Sequence, residues 1–160
     1  MYRKITAILM TTLLLSGCAQ LQYVQPSGPN TASLTFENNS LKAAAIHGFE
    51  QNENCSGQSV AFRQNKGIQS KEKFEIKVKA NQTISIAFTL GELSQSIGNR
   101  VEVTNCVMVG SFTPSAGKKY FARFSDDPSS CYLAIVRKTA SGEIEEPTYR
   151  QRQMTSSSCK

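Results

Sequence analysis

The chain alternates charged and apolar side chains most strictly in Lys73-Phe74-Glu75-Ile76-Lys77-Val78-Lys79-Ala80. After Asn81-Gln82, the alternation resumes in Thr83-Ile84-Ser85-Ile86-Ala87-Phe88-Thr89-Leu90. Because successive side chains of a strand point to opposite faces, both segments are predicted to be β-strands with one apolar face turned inward. The two residues between them predict that the strands pair with each other as a hairpin.

Shorter segments of similar character lie on both sides of this pair, separated by turns about every 8–12 residues. The further strands are predicted at residues 33–37, 43–49, 60–62, 101–112, 119–124, 131–137 and 144–154, the last interrupted by Pro147. No segment shows the period of a helix. The pattern predicts an all-β domain, an antiparallel β-sandwich of immunoglobulin-like or transthyretin-like kind with about seven to nine strands.

The beginning of the chain has a different organisation. Arg3 and Lys4 precede an apolar run over residues 5–15, and the small residues Ser16 and Gly17 follow it. This order is typical of a secretory signal peptide. The apolar run is shorter than the roughly 20 residues that span a bilayer, so it is not predicted to be a membrane helix. The sequence predicts a signal peptide at residues 1–17.

The four residues Leu15-Ser16-Gly17-Cys18 resemble the lipobox of bacterial lipoproteins. The resemblance implies that the chain is cut before Cys18, which is diacylated on its sulfur and often acylated on its new amino group. Two or three acyl chains make a lasting anchor, because each buried methylene contributes about 0.8 kcal/mol. With Ala19 at the next position, the resemblance also implies sorting to the outer membrane, facing the periplasm. The alternative is an ordinary secretory signal with Cys18 as a spare thiol.

Residues 18–31 contain Pro26, Gly28 and Pro29, which cannot sustain a helix or a central strand. They are predicted to form a lipidated tether that reaches roughly 20 Å as a flexible coil. Three side chains of this segment could instead dock on the domain: Leu21, Tyr23 and Val24. Residues 32–160 are predicted to form the single β-sandwich domain.

The formal net charge of the 160-residue chain is +6, and two of the positive charges, Arg3 and Lys4, belong to the signal segment. The basic residues are spread out and form no cluster interleaved with aromatic side chains, so nucleic acid is not expected as a partner. A modest positive charge favours weak attraction to anionic surfaces such as lipid headgroups or lipopolysaccharide.

Assigning Cys18 to the lipid leaves an even number of cysteines, which in an exported protein suits two disulfides. The four are Cys55, Cys106, Cys131 and Cys159. We predict the pairs Cys55–Cys106 and Cys131–Cys159, with Cys159 holding the Ser-rich end of the chain onto the domain. No metal site is predicted, because the cysteines lack C-x-x-C spacing and His47, the single histidine, lies in an apolar stretch.

No catalytic site and no cofactor are predicted. His47 is the one histidine available as a general base, and no Gly-x-Ser-x-Gly turn presents a nucleophile, so His47 is expected to be a half-buried strand residue. Asp126-Asp127-Pro128 is expected to be a solvated turn rather than a pair of catalytic carboxylates or a calcium site. An exposed acidic face beside Arg137 and Lys138 is expected from three carboxylates, Glu143, Glu145 and Glu146.

Two functions therefore remain. The first is a non-catalytic structural or accessory envelope lipoprotein, held to the membrane through Cys18, that binds another envelope protein by a sheet edge or loop. The strands at 119–124 and 131–137, which follow a Pro-x-x-Gly turn, resemble the closing strands of several small bacterial lipoproteins. The alternative is a periplasmic inhibitor or immunity-type protein that binds a toxin or lytic enzyme through a loop with concentrated charge or an aromatic anchor. The loops at 50–58, 91–100 and 125–130 show neither, which favours the first function.

Overall fold

The computed structural model describes residues 21–63, 67–93, 103–154 and 158–160. These residues form eleven strands in two sheets, and no helix is found among them. The prediction of an all-β sandwich is confirmed, but the predicted number of about seven to nine strands is too low. The predicted signal peptide at 1–17, the lipidation residue Cys18 and most of the predicted loop at 91–100 lie outside the described residues, while residues 91–93 continue a strand.

The six-stranded sheet has, from edge to edge, β1 (Leu21–Gln22), β4 (Ser56–Ala61), β3 (Ala44–Gln51), β6 (Ile84–Leu93), β7 (Val103–Phe112) and β11 (Arg150–Arg152). The five-stranded sheet has β10 (Gly142–Glu145), β9 (Cys131–Thr139), β8 (Lys119–Asp126), β2 (Thr31–Asn38) and β5 (Lys73–Lys79). Neighbouring strands are antiparallel except β1 with β4 and β2 with β8, which are parallel. The predicted last strand divides at Pro147 into β10 and β11, one in each sheet.

The predicted hairpin across Asn81-Gln82 is wrong, although both of its strands are present. β5 pairs with β2 in the five-stranded sheet, whereas β6 pairs with β3 and β7 in the six-stranded sheet. The short connection crosses from one sheet to the other, with Asn81 at a φ of 61° and its N–H donating to the carbonyl of Pro114 at 2.7 Å. The two apolar faces still meet, because they oppose each other across the core instead of lying side by side.

The core between the sheets is built around aromatic rings. Phe88 stacks on Phe124 with the ring centroids 5.2 Å apart, and Phe36 meets Phe88 edge to face at 5.9 Å. Phe112 and Tyr120 continue this layer at 5.1 Å. All five side chains are almost completely buried. Burying a large apolar side chain contributes about 1.5–3 kcal/mol, so this layer supplies much of the driving force for folding.

A second, smaller cluster lies on the outer face of the six-stranded sheet and contains Phe49, Cys55, Ala87, Val109 and Cys159. It forms because the C-terminal end of the chain folds back over that face. This explains why β7 is apolar on both sides: Val109 packs beneath the chain end, while Phe112 faces the main core.

All four predicted cysteines form disulfides, but the predicted pairing is wrong: the bonds are Cys55–Cys159 and Cys106–Cys131. Cys106 on β7 and Cys131 at the start of β9 join the two sheets, with their Cα atoms 6.4 Å apart. Cys159 does hold the chain end onto the domain, and its N–H donates to the carbonyl of Asn54 beside Cys55 at 2.7 Å. The pairing depends on which strand ends meet in space, and the spacing along the chain does not show that.

Candidate functional site

Residues 21–25, which we call the N-terminal strap, close one open side of the sandwich. Leu21 pairs with Val60 on β4, and the N–H of Tyr23 donates to the carbonyl of Ala61 at 2.8 Å. On the opposite sheet, the Tyr23 hydroxyl donates to the carbonyl of Lys77 at 3.1 Å. The strap therefore joins β4 of one sheet to the edge strand β5 of the other, and residues 21–25 of the predicted tether are docked on the domain.

Gln25 adds a further contact, because its Oε1 accepts the Lys77 N–H at 2.8 Å. Edge strands carry unpaired backbone N–H and C=O groups that can pair with other chains. The strap pairs both backbone groups of Lys77.

An aromatic contact connects the strap to the core. The Tyr23 ring meets Phe62 edge to face at 5.1 Å, and Phe62 lies 5.2 Å from Phe36. Phe62 packs directly over Gly48, where an added Cβ would come within 2.7 Å of the ring. Any other residue at position 48 would displace Phe62 and with it the support of Tyr23. Burial raises the pKa of the Tyr23 hydroxyl further above its usual value of 10.0, so the group stays protonated as a hydrogen-bond donor.

A cavity of about 350 Å³ lies between the strap, the β3–β4 edge and the crossing from β5 to β6. Its apolar lining includes Val24, Val60, Phe62 and Ile84, and its polar lining includes Glu50, Lys79 and Gln82. The volume is at the small end of the range for small-molecule sites. The lining offers a carboxylate and an ammonium group, which can bind polar ligands, but it does not supply a nucleophile with an adjacent base.

A network of charges crosses the outer face of the five-stranded sheet. Glu37 on β2 is buried and accepts hydrogen bonds from Lys73 on β5 at 2.7 Å and from Arg123 on β8 at 2.6 Å. Arg123 also forms a bidentate pair with Glu143 on β10, at 2.6 and 2.9 Å. Burial pushes the pKa of Glu37 upward, but the two cations outweigh burial and hold the pKa below its usual value. The network joins four of the five strands of this sheet, β5, β2, β8 and β10.

The structure separates the residues that a catalytic triad would need. His47 is half-buried on the outer face of the six-stranded sheet, 5.5 Å from the ring of Phe49, and burial lowers its pKa. Asp126 and Asp127 lie at the end of β8 in the other sheet. Asp126 is 3.7 Å from the ammonium of Lys42, so its charge is balanced locally.

Asp127 organises the predicted solvated turn at 125–130. Its Oδ1 accepts the N–H groups of Ser129 and Ser130 at 2.8 and 2.7 Å, and its Oδ2 accepts the Tyr132 hydroxyl at 2.8 Å. These donors, the Ser129 N–H foremost, lower the pKa of Asp127 to about 2. The carboxylate is therefore an acceptor that holds the loop.

The expected acidic face is only partly present. Glu143 pairs with Arg123 and Glu145 is exposed, but Glu146 is buried, so its assignment to an exposed face is wrong. The Oε1 of Glu146 accepts the N–H and hydroxyl of Thr148 at 3.1 and 2.8 Å, and its Oε2 lies 3.8 Å from Nε of Arg137. The turn after Pro147 folds the carboxylate inward, which a count of adjacent glutamates does not reveal.

Within the described ranges, no three side chains of His, Cys, Asp or Glu are arranged to hold a metal ion. In the same part of the chain, no helix has the length and apolar character needed to cross a bilayer. Comparison with protein families, curated proteins and solved structures finds no match to this chain.

The sequence left docking of Leu21, Tyr23 and Val24 open as an alternative to a free tether, and the structure shows Leu21 and Tyr23 docked while Val24 is exposed. The Glu37 network was not predicted. The signal for the strap was the position of Tyr23 and Val24 in an otherwise polar segment. The network left no signal, because its members come from four strands that are distant in the sequence.

Proposed function

We propose that this protein is an envelope lipoprotein, anchored through Cys18 to the outer membrane and facing the periplasm. In this proposal it is a non-catalytic structural or accessory module that binds another envelope protein. The proposal rests on the lipobox-like Leu15-Ser16-Gly17-Cys18 directly ahead of a disulfide-bonded sandwich. Disulfides form and persist in oxidising compartments such as the periplasm, so they support export.

A binding role rather than catalysis is supported by how the charged groups are used. The carboxylates of Glu37 and Glu143 are neutralised by Lys73 and Arg123, and Asp127 is occupied by its own loop. His47 stands apart from the carboxylates of Asp126 and Asp127, so a general base and its orienting partner are not brought together.

The edges of the described sheets favour binding by a face or loop over addition of a strand. β1, β10 and β11 have only two to four residues each, too few to align a long added strand. β5 is longer, but it carries lysines and its backbone at Lys77 is occupied by the strap.

The alternative, a periplasmic inhibitor or immunity-type protein, is supported by one observation. Tyr132 is 51% exposed and its hydroxyl donates to Asp127, which also orders the loop at 125–130. A rigid, exposed aromatic residue beside an ordered loop is a common anchor in protein interfaces.

Metabolic labelling with palmitate tests the anchor. The wild-type chain should be labelled and fractionate with membranes, because acylation buries two or three chains. A Cys18→Ser variant should lose the label and remain unprocessed, whereas Ser16→Ala, which keeps a small residue, should behave as wild type. An unlabelled wild-type chain would contradict the lipoprotein proposal.

The partner is tested by capture from detergent-solubilised envelope. Recovery of an envelope structural or assembly protein supports the accessory role. One stoichiometric hydrolase, released by Tyr132→Ala, would support the inhibitor role instead.

A further inference from the structure

We propose that the surface around the N-terminal strap is a membrane-contact surface for anionic lipid headgroups. This inference rests on the proposed lipid anchor at Cys18. The strap begins at Leu21, so only Ala19 and Gln20 lie between the acylated cysteine and the first residue paired with the sandwich. A chain extends at most about 3.6 Å per residue, so the lipid attachment lies within about 11 Å of the strap.

The lipid attachment stays close to the sandwich because the strap is bound to both sheets. Releasing Leu21–Gln25 would break the pairing with β4, the hydrogen bond from Tyr23 to Lys77 and the contact of Tyr23 with Phe62. These hydrogen bonds and the half-buried ring of Tyr23 all oppose release of the strap. The chain next to Cys18 is therefore a docked strap and not part of the long flexible tether that was predicted from Pro26 and Pro29.

The surface that faces the anchor combines apolar and cationic groups. Leu21 is 40% and Val24 is 86% exposed, which places apolar side chains next to the lipid attachment. On the neighbouring edge strand β5, Lys77 and Lys79 are exposed. The Lys77 ammonium donates to the Ser33 hydroxyl at 2.8 Å, and Lys79 lines the cavity beside Val24, together with the single carboxylate of Glu50. Lysines near an anionic bilayer are attracted to its surface, and exposed apolar side chains partition into the headgroup region. Exposed apolar side chains and lysines beside a lipid attachment suit a bilayer surface with anionic headgroups, so we assign this surface to lipid and not to a protein partner.

The chain contains no tryptophan, so one introduced indole reports on one position. Val24→Trp places it on the proposed surface. Leu41→Trp is the matched control, because Leu41 is 83% exposed but lies far from the strap. Leu41 follows the end of β2 at Asn38, whereas the strap contacts Lys77, which pairs with Ser33 near the start of β2. Five residues of strand separate these two ends of β2 by about 17 Å.

The experiment uses the acylated full-length mature protein on phosphatidylethanolamine–phosphatidylglycerol vesicles containing a headgroup-labelled nitroxide lipid. We expect the indole fluorescence of Val24→Trp to be quenched about twofold or more over that of Leu41→Trp. Adding Lys77→Glu and Lys79→Glu, or ten Gly-Ser residues between Gln20 and Leu21, should reduce the quenching towards the control. In phosphatidylcholine vesicles the lysine changes should have no effect.

Equal quenching of the two tryptophan variants on vesicles that float with bound protein would overturn the contact surface while leaving the anchor intact. Protein that does not float with the vesicles would overturn the anchor and this inference together.

Discussion

Glu37 places a buried carboxylate on the outer face of the five-stranded sheet, where an isolated charge would be strongly unfavourable. Lys73 and Arg123 on the two flanking strands remove this cost by direct hydrogen bonds. Arg123 is also held by Glu143 and lies 5.3 Å from the ring centroid of Phe121. Removing one member would leave the others imperfectly paired, so the network contributes to the free energy of unfolding.

Replacing Glu37 with Gln should lower the free energy of unfolding at pH 7 by about 1–3 kcal/mol, because charge-assisted hydrogen bonds are lost. The folded-state pKa of Glu37 lies below its usual value of 4.5. Its contribution is therefore present above that value and is lost as the pH falls through the folded-state pKa. Urea denaturation at several pH values should show the gap between wild type and Glu37→Gln closing below pH 4.5.

Glu75→Gln is the control, because Glu75 is exposed on β5 in the same sheet. It should change the free energy of unfolding by no more than about 0.5 kcal/mol. A gap for Glu37→Gln that stays constant down to pH 3 would contradict the role of its carboxylate.

At the scale of elements, the two open sides of the sandwich are each closed by a tyrosine. Tyr23 of the strap joins β4 to β5 on one side. On the other side, Tyr149 precedes β11 and its hydroxyl donates to the carbonyl of Leu133 on β9 at 2.8 Å. Its ring packs over Gly110 on β7, where a Cβ would come within 2.6 Å. Each tyrosine thus links one sheet to the other through its ring and its hydroxyl.

The crossing between β5 and β6 is the element that places consecutive strands in different sheets. Asn81 adopts a left-handed φ of 61°, and its Nδ2 donates to Oδ1 of Asn30 at 3.2 Å. Asparagine tolerates this conformation better than most residues, and glycine adopts it without strain.

Asn81→Ala should therefore be about 1 kcal/mol less stable than Asn81→Gly, since both variants lose the bond to Asn30 and only alanine is strained at this φ. Thermal or urea unfolding of the two variants measures the difference. Equal stabilities would show that the backbone at position 81 relaxes out of the left-handed region at no cost.

At the scale of the whole molecule, the disulfides close loops of very different length. Cys55–Cys159 spans 104 residues and Cys106–Cys131 spans 25. In the chain-entropy model these bonds contribute about 5 and about 3.5 kcal/mol respectively. The longer bond also holds the chain end over Phe49, Ala87 and Val109, so its loss would expose the second cluster to solvent.

Cys159→Ser should free a reactive thiol at Cys55 and leave Cys131 bonded, because the pairs are independent. The variant should lose about 3–5 kcal/mol of its free energy of unfolding. Thiol labelling followed by peptide mapping identifies the freed cysteine, and Cys131→Ser should free Cys106 as the matched control. A label at Cys131 in the Cys159→Ser protein would contradict the observed pairing.

The sequence by itself determined most of the longer strands, their inward faces and the all-β class, because the alternation of side chains is a local property of the backbone. It did not determine β1 or residues 56–59 of β4. Ile76, Val78, Ile86 and Phe88 are buried as their period of two predicts. The export and lipid anchor also rest on a local pattern, and they stay predictions.

Only the tertiary structure decided which strands pair, which cysteines bond and where Tyr23 docks. Two consecutive strands with inward apolar faces can pair side by side in one sheet or face each other from two sheets. Both arrangements satisfy the same alternation, so the pattern could not assign β5 and β6 to separate sheets. The same holds for Cys55 and Cys159, which are 104 residues apart in the chain but have their Cα atoms 5.2 Å apart. Contacts of that kind depend on how the whole sandwich closes, and no local segment carries that information.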